Sequence, residues 1–247
     1  MEFRDPSELY LDLLEKCLVN TIYEDPACDP WHKGFARYAR HEGQDWPSVA
    51  HSMIGARRMR SLRMLCEDVL RRNVPGDFIE TGVWRGGACI MMRGVLKAHG
   101  VSDRTIWVAD SFEGLPPPSV KYVADRNDAH HTYRELAVSQ EQVQKNFERY
   151  NLHDTQVRFL KGWFRDTLPS APIERLAIAR LDGDMYESTY DALTALYDRI
   201  SHGGYVIIDD YGAIPACALA VSDFRSSRNI VTPLQVIDAS GVYWQVP

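Results

Sequence analysis

The chain has 247 residues, 45% hydrophobic and 25% charged, which suits a single globular domain, with or without a cap, and allows a sizeable core. A net charge of −6 leaves no electrostatic footprint for nucleic acid, and the one basic run, Arg57 to Arg63, reads as a solvated helix face. No window approaches the roughly 18 apolar residues of a membrane span, the acidic start MEFRDPSELYLDLLEK has no signal-peptide run, and five scattered cysteines without a C-x-x-C pair point to a reducing compartment, so a cytoplasmic protein is expected, with no nucleic-acid or membrane partner.

Asp5-Pro6-Ser7-Glu8 predicts a helix start, and Tyr10, Leu13, Leu14, Cys17 and Leu18 give it one apolar stripe. Residues 24–47 hold Trp31, Phe35, Tyr38, Trp46 and several prolines without period, which suggests a covering segment or lid. A second amphipathic helix follows, with Ile54, Leu62, Leu65, Cys66, Val69 and Leu70 on its buried side. From Val74 strands and helices alternate. Strands are predicted at Asp77 to Thr81, Thr105 to Asp110, Val157 to Leu160, Leu176 to Asp182 and Gly204 to Asp209. Helices are predicted at 88–98, about 139–150 and about 188–200, and a Pro-rich loop follows the second strand. Runs at 234–237 and 242–246 suggest a closing hairpin with an antiparallel edge strand. Near-continuous apolar strands imply an α/β, doubly wound, mostly parallel sheet. Residues 1–72 then form an N-terminal helical cap and residues 73–247 the main domain.

Ligands of such sheets bind at the carboxyl ends of the strands. Four of the five parallel strands end there in an acid: Glu80, Asp110, Asp182 and Asp209-Asp210. Glu80-Thr81-Gly82-Val83-Trp84-Arg85-Gly86-Gly87 lacks the G-x-G-x-x-G spacing of a dinucleotide turn. A methionine carboxylate at the turn, with Glu80 near an ammonium group, suits it better than pyrophosphate; a plain tight turn is the alternative. Asp110-Ser111 suits ribose hydroxyls or a helix cap. Trp163-Phe164 is either an adenine sandwich or core. Asp182, Asp184, Asp209 and Asp210 are all-oxygen donors without His or Cys, a set that favours a hard cation such as Mg²⁺. His130 and His131 lie in the loop that overhangs the strand ends.

ETGVWRGGACI, WVADSFEGLP, GWFRDTLP, LDGDMYEST and IIDDYGA, in this order from about Ser52 onward, resemble the TylF-type macrocin and mycinamicin O-methyltransferases, a group that includes the novobiocin noviose O-methyltransferase. The resemblance implies a seven-stranded, Rossmann-like class I methyltransferase fold that binds S-adenosylmethionine and acts on hydroxyls of sugars attached to antibiotics. It implies Asp182, Asp209 and Asp210 as Mg²⁺ ligands and Asp184 as general base. Met53, Glu80, Thr81, Gly82, Arg85, Gly86, Asp110, Ser111, Trp163 and Asp182 are expected around the cofactor, and His130, His131 and Tyr211 around a glycosylated acceptor. A homo-oligomer is also expected, with the aromatic N-terminal region closing a neighbour's pocket. Among rivals, a catechol-type methyltransferase would make do with a lysine base, and no lysine closely follows Asp182. A dinucleotide reductase would need the missing glycine fingerprint and a Tyr-x-x-x-Lys pair. A non-catalytic module would not need an intact set of carboxylates.

Overall fold

The computed structural model describes residues 5–247; the first four residues of the acidic start lie outside them. Strands β1 (Asp77–Thr81), β2 (Ile106–Asp110), β3 (Val157–Lys161), β4 (Leu176–Leu181) and β5 (Ile200–Ile208) are parallel. β6 (Gln235–Val236) and β7 (Val242–Gln245) close a seven-stranded sheet in the order β3-β2-β1-β4-β5-β7-β6. The expected closing hairpin forms, but its antiparallel strand β7 is inserted between β5 and β6 rather than lying at the edge. Val242 and Trp244 are buried, so β7 belongs inside, whereas β6 is two exposed residues, a short edge that offers little to pair with.

Side chains alternate across the sheet, which is covered on both faces. Phe78 faces one cluster with Met59, Met92 and Phe147; Ile79 faces the other with Leu193 and Phe224. The first cluster is built from α1 (Pro6–Leu18), α3 (Gly55–Arg71), α4 (Gly87–Ala98) and α5 (Gln140–Arg149), so helices on both sides of residue 72 share one core. The second is covered by α6 (Phe164–Thr167), α7 (Tyr186–Leu196) and α8 (Pro215–Ser227).

Asp5 caps α1, accepting from the Ser7 N–H at 3.1 Å, as its sequence predicts. The buried stripe is Leu11, Leu14 and Leu18, while Tyr10 and Leu13 face outward, so the predicted face is rotated. α8 lies where no element is predicted, although Cys217, Ala220, Val221 and Phe224 recur at helical spacing. The aromatic segment contains a short α2 (Arg37–Glu42). Charge organises this segment: buried Arg40 donates to Asp25 at 2.8 Å, to Asp45 at 2.9 Å and to two backbone carbonyls. The reading of Arg57–Arg63 as a solvated face fails at Arg58, which is buried and aimed at the strand ends.

Candidate active site

β1 runs into Gly82, which adopts φ +82°, and a Cβ there would lie 1.7 Å from the Asp182 carbonyl oxygen. Only glycine lets the turn after β1 pass this close to the end of β4. The carboxylate of Asp110, at the end of the neighbouring β2, accepts from the N–H groups of Val83 and Phe112, each at 2.7 Å. The turn is thereby fixed and the Asp110 carboxylate oriented. A cleft opens over these strand ends, bordered among others by Met53, Gly82, Asp110, Trp163, Asp182 and Asp184.

In the parallel β4–β5 pair Leu181 lies opposite Ile208, so Asp182 and Asp209-Asp210 leave the sheet side by side. Among the described residues, Asp182, Asp184 and Asp210 each bring a carboxylate oxygen within 4.8 Å of the others. Asp184 has a left-handed φ of 56°, a strained conformation for a residue with a side chain. Its N–H donates to Asp210 Oδ2 at 3.2 Å. Burial, reinforced by the neighbouring carboxylates, pushes Asp182 up to about 6, Asp184 up to about 7 and Asp210 well above the ordinary range.

Asp209 does not join this trio. Its two oxygens accept from Arg180 and Arg58. Arg180, 1% exposed near the carboxyl end of β4, also holds Glu80 and, at 2.8 Å, Asp182. Arg58 reaches over from α3 and pairs with Asp238 at 3.1 Å as well. Six carboxylates (Glu80, Asp182, Asp184, Asp209, Asp210 and Asp238) thus face two guanidinium groups. Surplus negative charge gathered in a largely buried cluster at the cleft floor favours a bound cation. The donors are all oxygen, so the site fits a hard divalent ion. The ligand set implied by the resemblance is therefore divided, because the guanidinium groups hold Asp209 while Asp184 turns toward Asp182 and Asp210.

The model of a family described as macrocin-O-methyltransferase (TylF) matches residues 29–246. The chain belongs to this family of O-methyltransferases. It is 54% identical over 250 residues, 99% of this chain and 95% of the relative, to demethyldecarbamoylnovobiocin O-methyltransferase of Streptomyces niveus. It is 52% identical to the 8-demethyl-8-(2,3-dimethoxy-α-L-rhamnosyl)-tetracenomycin-C 4′-O-methyltransferase of Streptomyces olivaceus, over 98% of this chain and 94% of that one. The solved structure of the O-methyltransferase NovP superimposes with a TM-score of 0.94 at 55% identity, covering 97% of this chain and 99% of that chain. The seven-stranded α/β methyltransferase fold expected from the sequence is the fold found.

Not every expected residue of this TylF-family enzyme reaches the cleft. Met53, Glu80, Gly82, Asp110, Ser111, Trp163, Asp182 and Asp184 border it. Glu80 faces Arg180 and, at 3.0 Å, the Cys89 thiol, and burial pushes its carboxyl up to about 7. Thr81 and Arg85 are not among the bordering residues. Thr81 is buried within β1, and Arg85 stacks on Trp84 and donates to the Pro47 and Ala50 carbonyls. Gly86 is the N-cap residue just before α4, where a Cβ would strike the Val143 side chain. Tyr211 packs against the apolar cluster under α7 and α8, and His131 is exposed in the loop. His130 is half-buried and paired with Asp128.

The loop between β2 and α5 is tied down at several points. Buried Asp125 accepts from the N–H groups of Tyr186 at 2.7 Å and Glu187 at 3.0 Å, capping α7. Trp84 donates from Nε1 to the Glu135 carbonyl at 2.8 Å. The Tyr133 ring meets Trp46 and Trp31 edge-on, with centroids 5.3 and 6.1 Å away, joining the loop to the N-terminal covering segment. Sequence reasoning missed Arg180, Arg58 and Asp125. For Arg180 a signal existed: a lone arginine in an otherwise apolar central strand is rarely buried without carboxylate partners.

Proposed function

We propose that the chain transfers the methyl group of S-adenosylmethionine to a hydroxyl of a sugar carried by a natural product, at a site loaded with a divalent cation, preferably Mg²⁺. The observation that carries this reading is the convergence of Asp182, Asp184 and Asp210 on the rim of a cleft that also presents Asp110, Gly82 and Trp163. Asp110 has its orientation fixed by two backbone donors and keeps lone pairs for ribose hydroxyls. Trp163 and Phe164 offer ring surface to adenine. Gly82 keeps side-chain bulk away from the methionine end of the cofactor. Asp182 and Asp210 would hold the ion, beside Asp209, whose two oxygens accept from Arg58 and Arg180. Bound there, the ion supplies Lewis acidity to the acceptor hydroxyl. Asp184 takes the hydroxyl proton on a carboxylate oxygen, and the tethered loop and the covering segment exclude water.

The relative from Streptomyces olivaceus acts on a rhamnosyl group, which supports a sugar hydroxyl as acceptor. Among the described residues bordering the cleft there is no lysine of the kind a catechol-type enzyme would use. The test incubates the purified chain with S-adenosylmethionine, Mg²⁺ and either demethyldecarbamoylnovobiocin, the rhamnosyl tetracenomycin or catechol. Mass spectrometry is expected to show one added methyl group on a glycoside and none on catechol, with loss of turnover when the ion is chelated. Methylation of catechol alone would replace the sugar reading, and full turnover under chelation would remove the ion.

A further inference from the structure

We propose that Arg180 couples the two ligand sites of this enzyme: one buried guanidinium group shares its charge between the carboxylate that faces the cofactor's ammonium group and the carboxylates that face the ion, so that each ligand weakens the binding of the other. The coupling is a regulation of the site proposed above and rests on its reading as a site for S-adenosylmethionine and a divalent cation. Strand register makes the connection. Glu80 and Arg180 are cross-strand partners in the parallel β1–β4 pair, and Arg180 lies opposite Ile207 in the β4–β5 pair. Successive side chains alternate, so Asp182 and Asp209, each two residues further on, return to the same face. Both terminal nitrogens of Arg180 are engaged there. Nη1 donates to Glu80 Oε1 and, at 2.8 Å, to Asp182 Oδ2, and Nη2 donates to Asp209 Oδ1. Glu80 and Asp182 both border the cleft, so one side chain links a carboxylate at the cofactor turn to a carboxylate of the ion trio.

The linked groups are held from both ends. Glu80 Oε2 accepts from the Cys89 thiol at 3.0 Å, and Asp209 Oδ2 accepts from Arg58. Arg180 and Glu80 are only 1% and 2% exposed, so water neither screens the pair nor replaces a partner. The link therefore works through charge rather than through movement, and charges a few ångströms apart act strongly on one another in such an interior. An ammonium group on Glu80 takes over part of the neutralisation that Arg180 supplies. More of the guanidinium charge then falls on Asp182 and Asp209, where it opposes an incoming cation. An ion on Asp182 acts on Glu80 in the same way, and linkage makes the two effects equal. Arg180 touches neither ligand; it is a positioning residue that acts through three carboxylates.

Calorimetry on the full chain tests the coupling without any acceptor. Mg²⁺ binding is measured with and without saturating S-adenosylhomocysteine, which carries the ammonium group but no sulfonium charge, and S-adenosylhomocysteine binding with and without saturating Mg²⁺. Each Kd is expected to rise about five-fold when the other ligand is present. Arg180→Lys keeps the charge, but one ammonium group does not span three carboxylates as the fork does, so the ratio is expected to fall to within about two-fold of one. Lower stability alone does not move that ratio. Should Arg180→Lys fail to fold, Glu80→Gln carries the test, because it keeps the size and an oxygen for Arg180. It is expected to bind Mg²⁺ about five-fold more weakly than wild type, with no further response to S-adenosylhomocysteine. Independent or mutually strengthened binding in the wild-type chain overturns the coupling. So does a five-fold ratio that survives in Arg180→Lys, or wild-type Mg²⁺ affinity in Glu80→Gln. A wild-type chain that binds no S-adenosylhomocysteine or no Mg²⁺ overturns the reading of the site, and the coupling with it.

Discussion

Asp184 shows how much a single backbone conformation decides. Its left-handed φ turns the side chain back toward Asp182 and Asp210 instead of out along the loop. Asp184→Asn keeps the size and the N–H to Asp210 but cannot take a proton. It is expected to leave S-adenosylhomocysteine affinity unchanged while lowering kcat by about 10²- to 10⁴-fold, measured by single-turnover methylation. Turnover near wild type would remove Asp184 from the proton-accepting role. The acids themselves are legible in the chain, because each follows an apolar strand whose end must face the ligand side of a parallel sheet. The direction of Asp209 is not legible: its partner Arg58 lies about 150 residues earlier, in a run whose local pattern looks solvated.

At the level of elements, the β2–α5 loop and α7 work as a pair joined by Asp125. Asp125→Ala removes two hydrogen bonds at the start of α7 and is expected to cost about 1–2 kcal/mol. Limited proteolysis is expected to cut within residues 115–138 faster in this variant, with acceptor KM raised more than cofactor affinity is lost. Unchanged cleavage would show that the Trp84 and Tyr133 contacts hold the loop without it. The sheet, its helices and the glycine turn follow from periodicity and from apolar strands ending in acids. What periodicity does not report is which outer face of α1 stays exposed, or that a Pro-rich loop carries a buried capping acid, since both depend on partners distant in sequence.

For the whole molecule, the decisive quantity is the surplus of buried negative charge at one end of the sheet. Asp182 and Asp184 titrate near 6 and 7 in the fold, above the usual carboxylate value of 3.8. Between those values the folded chain holds protons that the unfolded chain has released, so stability without a cation falls as pH rises through 6 and 7 and is regained on acidification. A divalent cation held by these carboxylates would compete with those protons and would bind only the folded site. It is therefore expected to raise Tm by several degrees at pH 8 and by less at pH 6, as read by differential scanning fluorimetry. The shift is expected to vanish in Asp182→Asn. An equal shift at both pH values would dissociate ion binding from these carboxylates.

The bridge from Arg58 to Asp209 also limits how this enzyme can be recombined with its kin. Residues 20–72 are a natural cassette to exchange when a new substrate range is sought, since they carry the covering segment. An incoming cassette that delivers no guanidinium to the place of Arg58 leaves Asp209 with one partner instead of two, and Asp238 loses its arginine altogether. Orphaning a buried charge costs about 3–5 kcal/mol, a large part of what keeps a domain of this size folded. Chimeric enzymes built here have to preserve an electrostatic handshake before any change in specificity becomes visible.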